Sequence, residues 1–107
     1  MTMLAVLTTI DTPEQARAIA TVLVERKLAA CVQISTIESF YTWEGAVQNE
    51  PEFRILAKTT ATRYADVEAT IRELHSYELP AIYAFEASRV FEPFADWVSE
   101  SSAGGAD

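Results

Sequence analysis

The sequence predicts an α+β fold whose elements follow in the order β-α-β-β-α-β, with a long bent hairpin in the middle and a short helix at the C-terminal end. Three features carry this reading. The chain begins with a continuous apolar run, it contains two separate stretches of helical period, and between them residues 29–60 favour extended backbone. A length of 107 residues with 50% hydrophobic and 22% charged side chains suits one domain and leaves no room for a second. A domain this small buries only about two-thirds of the surface of its unfolded chain. Any sizeable ligand site is therefore expected at the surface or between subunits.

Met3 to Leu7 is apolar at every position and runs on through Thr8, Thr9 and Ile10, the pattern of a central strand covered on both faces. A helix start follows, with Thr12 as N-cap, Pro13 at the first helical position and Gln15 placed to complete a capping box. Ala16, Ile19, Ala20 and Leu23 fall on one buried stripe, and Arg26 and Lys27 suit the negative end of the helix dipole, so the helix is expected to end near Lys27. Ala29 to Trp43 reads as a strand with a bend at Ser35-Thr36. Glu44-Gly45 supplies the reversal, and the chain returns through Val47 and Phe53 to Thr60. Pro51 has no amide to give a ladder and is expected at a kink, as a bulge or at an edge.

Thr60 to Ser76 regains helical period through Tyr64, Val67, Ile71 and Leu74, with Thr60 or Thr62 as cap. Leu79 to Ala87 then alternates Ala81, Tyr83 and Phe85 against Ile82 and Ala84, a fourth strand with Pro80 near its start. Pro93 opens a last short helix in which Phe94, Trp97 and Val98 share a face. Together these elements describe a ferredoxin-like βαββαβ sandwich over residues 1–100, with both main helices on one face of an antiparallel sheet. Residues 101–107 have nothing to bury and are expected to form a disordered tail.

Sixteen Asp and Glu against eight Lys and Arg give a formal net charge of −8, which opposes binding to nucleic acid or an anionic membrane; neither is expected as a partner. The single Cys forms no internal disulfide, and Met1-Thr2-Met3-Leu4-Ala5 lacks the basic region and long apolar run of a secretory signal. No run approaches the roughly 20 apolar residues of a membrane-spanning helix. A cytoplasmic location is expected. Three glycines, none of them in a loop that opens a helix, leave no phosphate-binding loop.

Particular residues then have two readings each. Cys31, in an apolar strand, reads first as a small buried hydrophobe and second as a soft metal ligand. His75, the only His, sits where an imidazole bonds the last carbonyls of the second helix, and one His with one Cys makes no zinc motif. Glu50 and Glu52 flank Pro51 and read as a solvated turn rather than as an acid–base pair. Lys58 either extends its head to the rim of an apolar strand or balances an anion. Phe40, Tyr41 and Trp43, with Tyr77, Tyr83 and Trp97 further on, either line a ligand pocket or pack against another subunit, and the over-long hairpin favours assembly. A small hydrolase with His75 as acid or base and Lys58 at an oxyanion lacks an activated nucleophile, so no enzyme is expected.

Four motifs, Glu25-Arg26-Lys27-Leu28-Ala29-Ala30-Cys31, Phe40-Tyr41-Thr42-Trp43-Glu44-Gly45, Leu56-Ala57-Lys58-Thr59-Thr60 and Leu74-His75-Ser76-Tyr77-Glu78-Leu79-Pro80, stand in the order and spacing of one family. The sequence resembles the CutA family over residues 4 to 98. That resemblance implies a homotrimer assembled through the hairpin strands, an architecture similar to PII signalling proteins, and a role in tolerance of divalent cations, especially copper. It implies a binding or signalling module with an inter-subunit cleft near Tyr41, Trp43, Lys58, His75, Tyr77 and Glu78. Copper ligands proposed in the family map to Thr8, Leu74 and His75, so only His75 is retained, with Cys31 as the remaining soft ligand. Direct copper sequestration through His75 and Cys31 is the alternative. Ala81 stands where the family has Glu after Pro80, and Ser35-Thr36 replaces a longer stretch with Pro-Gly; each is expected to reshape the cleft.

Overall fold

A computed structural model describes residues 1–104. The elements are β1 (Met3–Ile10), α1 (Pro13–Glu25), β2 (Cys31–Trp43), β3 (Ala46–Thr60), a 3-10 turn (Ala61–Arg63) leading into α2 (Tyr64–Leu74), β4 (Ile82–Glu86) and α3 (Glu92–Ser101). All strand pairs are antiparallel, in the order β2-β3-β1-β4, so the ferredoxin-like arrangement holds and β1 lies inside the sheet.

Alternation along the strands decides what is buried. Leu4, Val6 and Ile10 of β1 and Ile55 and Ala57 of β3 pack with Ala16, Ile19 and Leu23 of α1 and Val67 and Ile71 of α2. Burying each large aliphatic side chain contributes about 1.5–3 kcal/mol, so this layer is what folds the chain. Lys58 belongs to the opposite set of β3 side chains, and its Nζ lies 5.6 Å from the ring centre of Phe94, which puts α3 against that other face. Val98 of α3 is fully buried there.

Each helix begins and ends for a local reason. At the start of α1 the Gln15 amide donates to Thr12 Oγ1 at 3.2 Å, as expected of the cap. The Gln15 side chain does not close a capping box, because its Oε1 accepts instead from Ser76 Oγ at 2.8 Å. Helix α1 ends at Glu25, and Lys27 lies outside it with φ 56°. The Lys27 and Leu28 amides donate back to the Val24 and Leu23 carbonyls at 3.0 Å each, the Schellman pattern with Lys where Gly is common. Neither Thr60 nor Thr62 caps α2. The 3-10 turn runs straight into that helix, and Arg63 before it already has helical backbone.

The hairpin register passes without a slip from Cys31↔Lys58 to Trp43↔Ala46, around a two-residue turn in which Glu44 and Gly45 have φ 51° and 80°. Pro51 faces Glu38 and makes no bulge. It sits at an edge, because β1 pairs with β3 only as far as Phe53. Residues 37–52 are therefore a two-stranded extension, and the molecule measures 45 × 31 × 20 Å. β4 is shorter than its alternation suggests: Leu79 and Pro80 precede it in a loop, with Leu79 80% exposed.

The C-terminal end corrects one expectation. Ser101 completes α3, Ser102 is buried with its hydroxyl on the Val98 carbonyl, and the Gly104 amide donates to Lys27 O at 2.9 Å. The expected tail over 101–107 thus does not begin at 101. Its residues 105–107 lie outside the described residues.

Candidate functional site

The site is built where the segment after α2 folds back on the hairpin extension. His75 leaves α2 with extended backbone, and its ring does not reach the helix's last carbonyls as expected. Its Nε2 lies 2.7 Å from Thr9 O on β1, and its Nδ1 accepts from the Tyr77 amide at 3.1 Å. A carbonyl only accepts and an amide N–H only donates, so this pairing assigns the Nε2–H tautomer. His75 thereby latches the 75–77 segment to β1. The Tyr77 ring packs beside it at 4.7 Å between centres.

Tyr77 carries the chain onward to β3. Its hydroxyl donates to Glu52 Oε2 at 2.6 Å, while Ser39 Oγ of β2 donates to Glu52 Oε1 at 2.6 Å. Further along the hairpin, the Tyr41 hydroxyl donates to Glu50. Glu50 and Glu52 are therefore paired-strand residues that hold three hydroxyls, and the solvated-turn reading is corrected. Burial pushes the Tyr77 phenol up from its ordinary value, with the Glu52 carboxylate acting the same way; for Tyr41 the bond to Glu50 is the main cause of an upward shift. Both phenols remain neutral donors in neutral solution.

A groove of about 640 Å³ opens beside this network, lined by Thr9, Ser39, Phe40, Tyr41, Trp43, Glu52, Tyr77, Glu78, Leu79 and Ala81. Of the residues expected at a cleft, Tyr41, Trp43, Tyr77 and Glu78 meet there, with His75 behind Tyr77. Lys58 does not join them. It faces Ala5 and Cys31 in the sheet, six residues from Glu52 along β3, or roughly 20 Å. The short residue Ala81 lines the groove.

Cys31 and His75 are also kept apart within one chain. Cys31 lies level with Ala5 through Lys58, whereas His75 binds at Thr9, four residues further along β1, or roughly 13 Å. Both ring nitrogens of His75 are already engaged. Cys31 is half-buried rather than buried, because β2 is an edge strand, and Gln33 Nε2 lies 3.8 Å from its sulfur. Leu74 packs on the core, and the buried Thr8 hydroxyl has no hydrogen-bond partner among the described residues. Among the described residues, no group of three or more His, Cys, Asp or Glu converges as a metal site would require.

Ser39, Thr9 and Leu79 are site residues that their residue types do not single out, and Glu50 and Glu52 are ones that read from sequence as a solvated turn. A signal for three of them was present. Counting pairs outward from Glu44-Gly45 sets Ser39 opposite Glu50 and one step from Glu52 on the same face.

The family described as CutA1 divalent ion tolerance protein matches residues 4–101. The divalent-cation tolerance protein CutA of Archaeoglobus fulgidus is 41% identical over 88 residues, covering 82% of this chain and 86% of that protein. Its Thermus thermophilus counterpart is 37% identical over 98 residues, covering 91% and 95%. Among solved structures, the periplasmic divalent cation tolerance protein CutA from A. fulgidus superposes with a TM-score of 0.91 at 37% identity, over 94% of this chain and 98% of that one. The divalent cation tolerance protein from T. thermophilus gives 0.89 at 36% identity, over 94% and 98%. These names describe tolerance and specify no reaction. Among the described residues, no helix is long and apolar enough to cross a membrane.

Proposed function

The chain belongs to the CutA1 divalent ion tolerance family, and on that premise we propose that it is a homotrimeric, non-enzymatic binding or signalling module of PII-like architecture. Its cleft is the groove at Trp43, Tyr77 and Glu78, set at the border between subunits. One observation carries this reading: residues 37–52 extend beyond the rest of the sheet with open strand edges and with Phe40, Trp43 and Val47 exposed. A two-stranded hairpin alone is marginal in water. Copies of the same chain would cover its edges and apolar side chains in a closed, symmetric assembly. The exposed Tyr83 and Phe85 on β4 add apolar surface to the same need. The absence of disulfide-forming pairs suits the cytoplasm, and cell fractionation tests that placement.

Native mass spectrometry of the purified protein, with and without stoichiometric copper, tests the reading. Three subunits without retained metal are the expected result. A stable monomer overturns the assembly. Three subunits that retain copper, and lose it in His75→Ala, replace the module with direct copper sequestration.

A further inference from the structure

We infer that the groove binds a small organic ammonium ion, held by the carboxylates of Glu52 and Glu78 and by the rings of Trp43 and Tyr77. The inference rests on the groove being the ligand site of the proposed function, and it is drawn from the residues that one subunit gives to that groove. A volume of about 640 Å³ falls within the range of small-molecule sites. The sign of its charge selects the ligand. Two carboxylates line the groove and no Lys, Arg or His does, on a chain whose formal net charge is −8.

The hydrogen bonds of the wall sharpen that selection. The hydroxyl protons of Ser39 and Tyr77 are committed to Glu52, and that of Tyr41 to Glu50. These oxygens have only lone pairs left to offer, and the Glu52 carboxylate keeps acceptor capacity beyond its two bonds. No salt bridge among the described residues engages Glu78. Beside the Thr9 hydroxyl and the Trp43 indole N–H, the groove thus presents mainly acceptors, two of them anionic, and favours contents that supply donors. Aromatic rings favour a cation over their faces, and the Leu79 side chain gives an alkyl chain an apolar surface. A bare divalent ion meets no converging set of three ligands here. An ammonium group on a short hydrocarbon matches every part of the wall.

The test is a saturation-transfer NMR titration of the full chain with n-butylammonium chloride, with sodium butyrate as an anion of like size, at fixed ionic strength. Native mass spectrometry of the same samples reports subunit number. Butylammonium is expected to bind and butyrate not, and Glu78→Gln is expected to weaken binding about fivefold. A trimer that ignores butylammonium, that takes butyrate equally well, or in which Glu78→Gln changes nothing overturns the ligand class and leaves the assembly standing. Copper that displaces butylammonium and depends on Glu78 overturns it in favour of a metal. A monomer that binds butylammonium supports the ligand class and overturns the assembly instead.

Discussion

The inner and outer parts of the β2–β3 hairpin share one unbroken register and are held in different ways. In the inner part, β3 is paired on both sides, and Ile55, Ala57 and Thr59 are at most 1% exposed beneath the helices. In the outer part, β3 has β2 as its single partner, Val47 is 76% exposed, and side-chain cohesion comes from hydroxyls on Glu50 and Glu52. Such solvent-facing bonds contribute far less than a buried aliphatic layer. The inner part therefore folds the chain, and the outer part is carried by it.

The largest expected effect separates the two parts directly. Ile55→Ala should cost about 3 kcal/mol in urea unfolding, whereas Val47→Ala should cost less than about 0.5 kcal/mol when unfolding is followed at a dilution that leaves single subunits, and should act instead on the trimer–monomer balance in native mass spectrometry. Equal losses would mean that the extension is as much a part of the folding core as the inner strands. A smaller effect probes the one flaw in the inner part. Thr8→Val removes a buried hydroxyl without a partner while keeping its shape, and should stabilise by about 1 kcal/mol. Destabilisation of similar size would show that the hydroxyl has a partner in the assembled protein.

The smallest effect lies at the junction of the two parts and is read through pH. The folded Tyr77 phenol holds its proton above the ordinary value, whereas an unfolded phenol ionises near about pH 10. The folded state thus binds more protons in alkali. The resulting stability is present below about pH 10 and is lost as pH rises above it. Tyr77→Phe should flatten that alkaline decline in urea melts and cost less than about 1 kcal/mol at neutral pH. An unchanged decline would show that Tyr77 contributes nothing to it.

Much of the fold was legible because its causes are local. Thr12 and Pro13 start α1, the stripe of Ala16, Ile19 and Leu23 turns it to the core, and Glu44-Gly45 reverses the hairpin. The pairing of Ser39 with Glu50 was also within reach, since it follows from counting outward from that turn. Treating Glu50 and Glu52 as flanks of Pro51 hid them, because the edge of an antiparallel pair tolerates Pro without ending the strand. The α1 boundary was missed by two residues because Lys27 takes a left-handed conformation that its side chain does not advertise.

By itself, the sequence determined the element order, the ferredoxin-like class, the acidic surface and the family, all of which depend on periodicity, caps, composition and motif spacing. The tertiary structure alone decided which of the candidate residues meet. The His75 ring finds its partner on Thr9, 66 residues away, and so latches Tyr77 and Glu78 against the hairpin, while only the His75 backbone amide serves the end of its own helix. Lys58 and Cys31 fall to the inner part and Glu52 to the outer, because β1 stops pairing at Phe53. Where one strand ends relative to another is a property of packing in three dimensions, and no pattern within either strand records it.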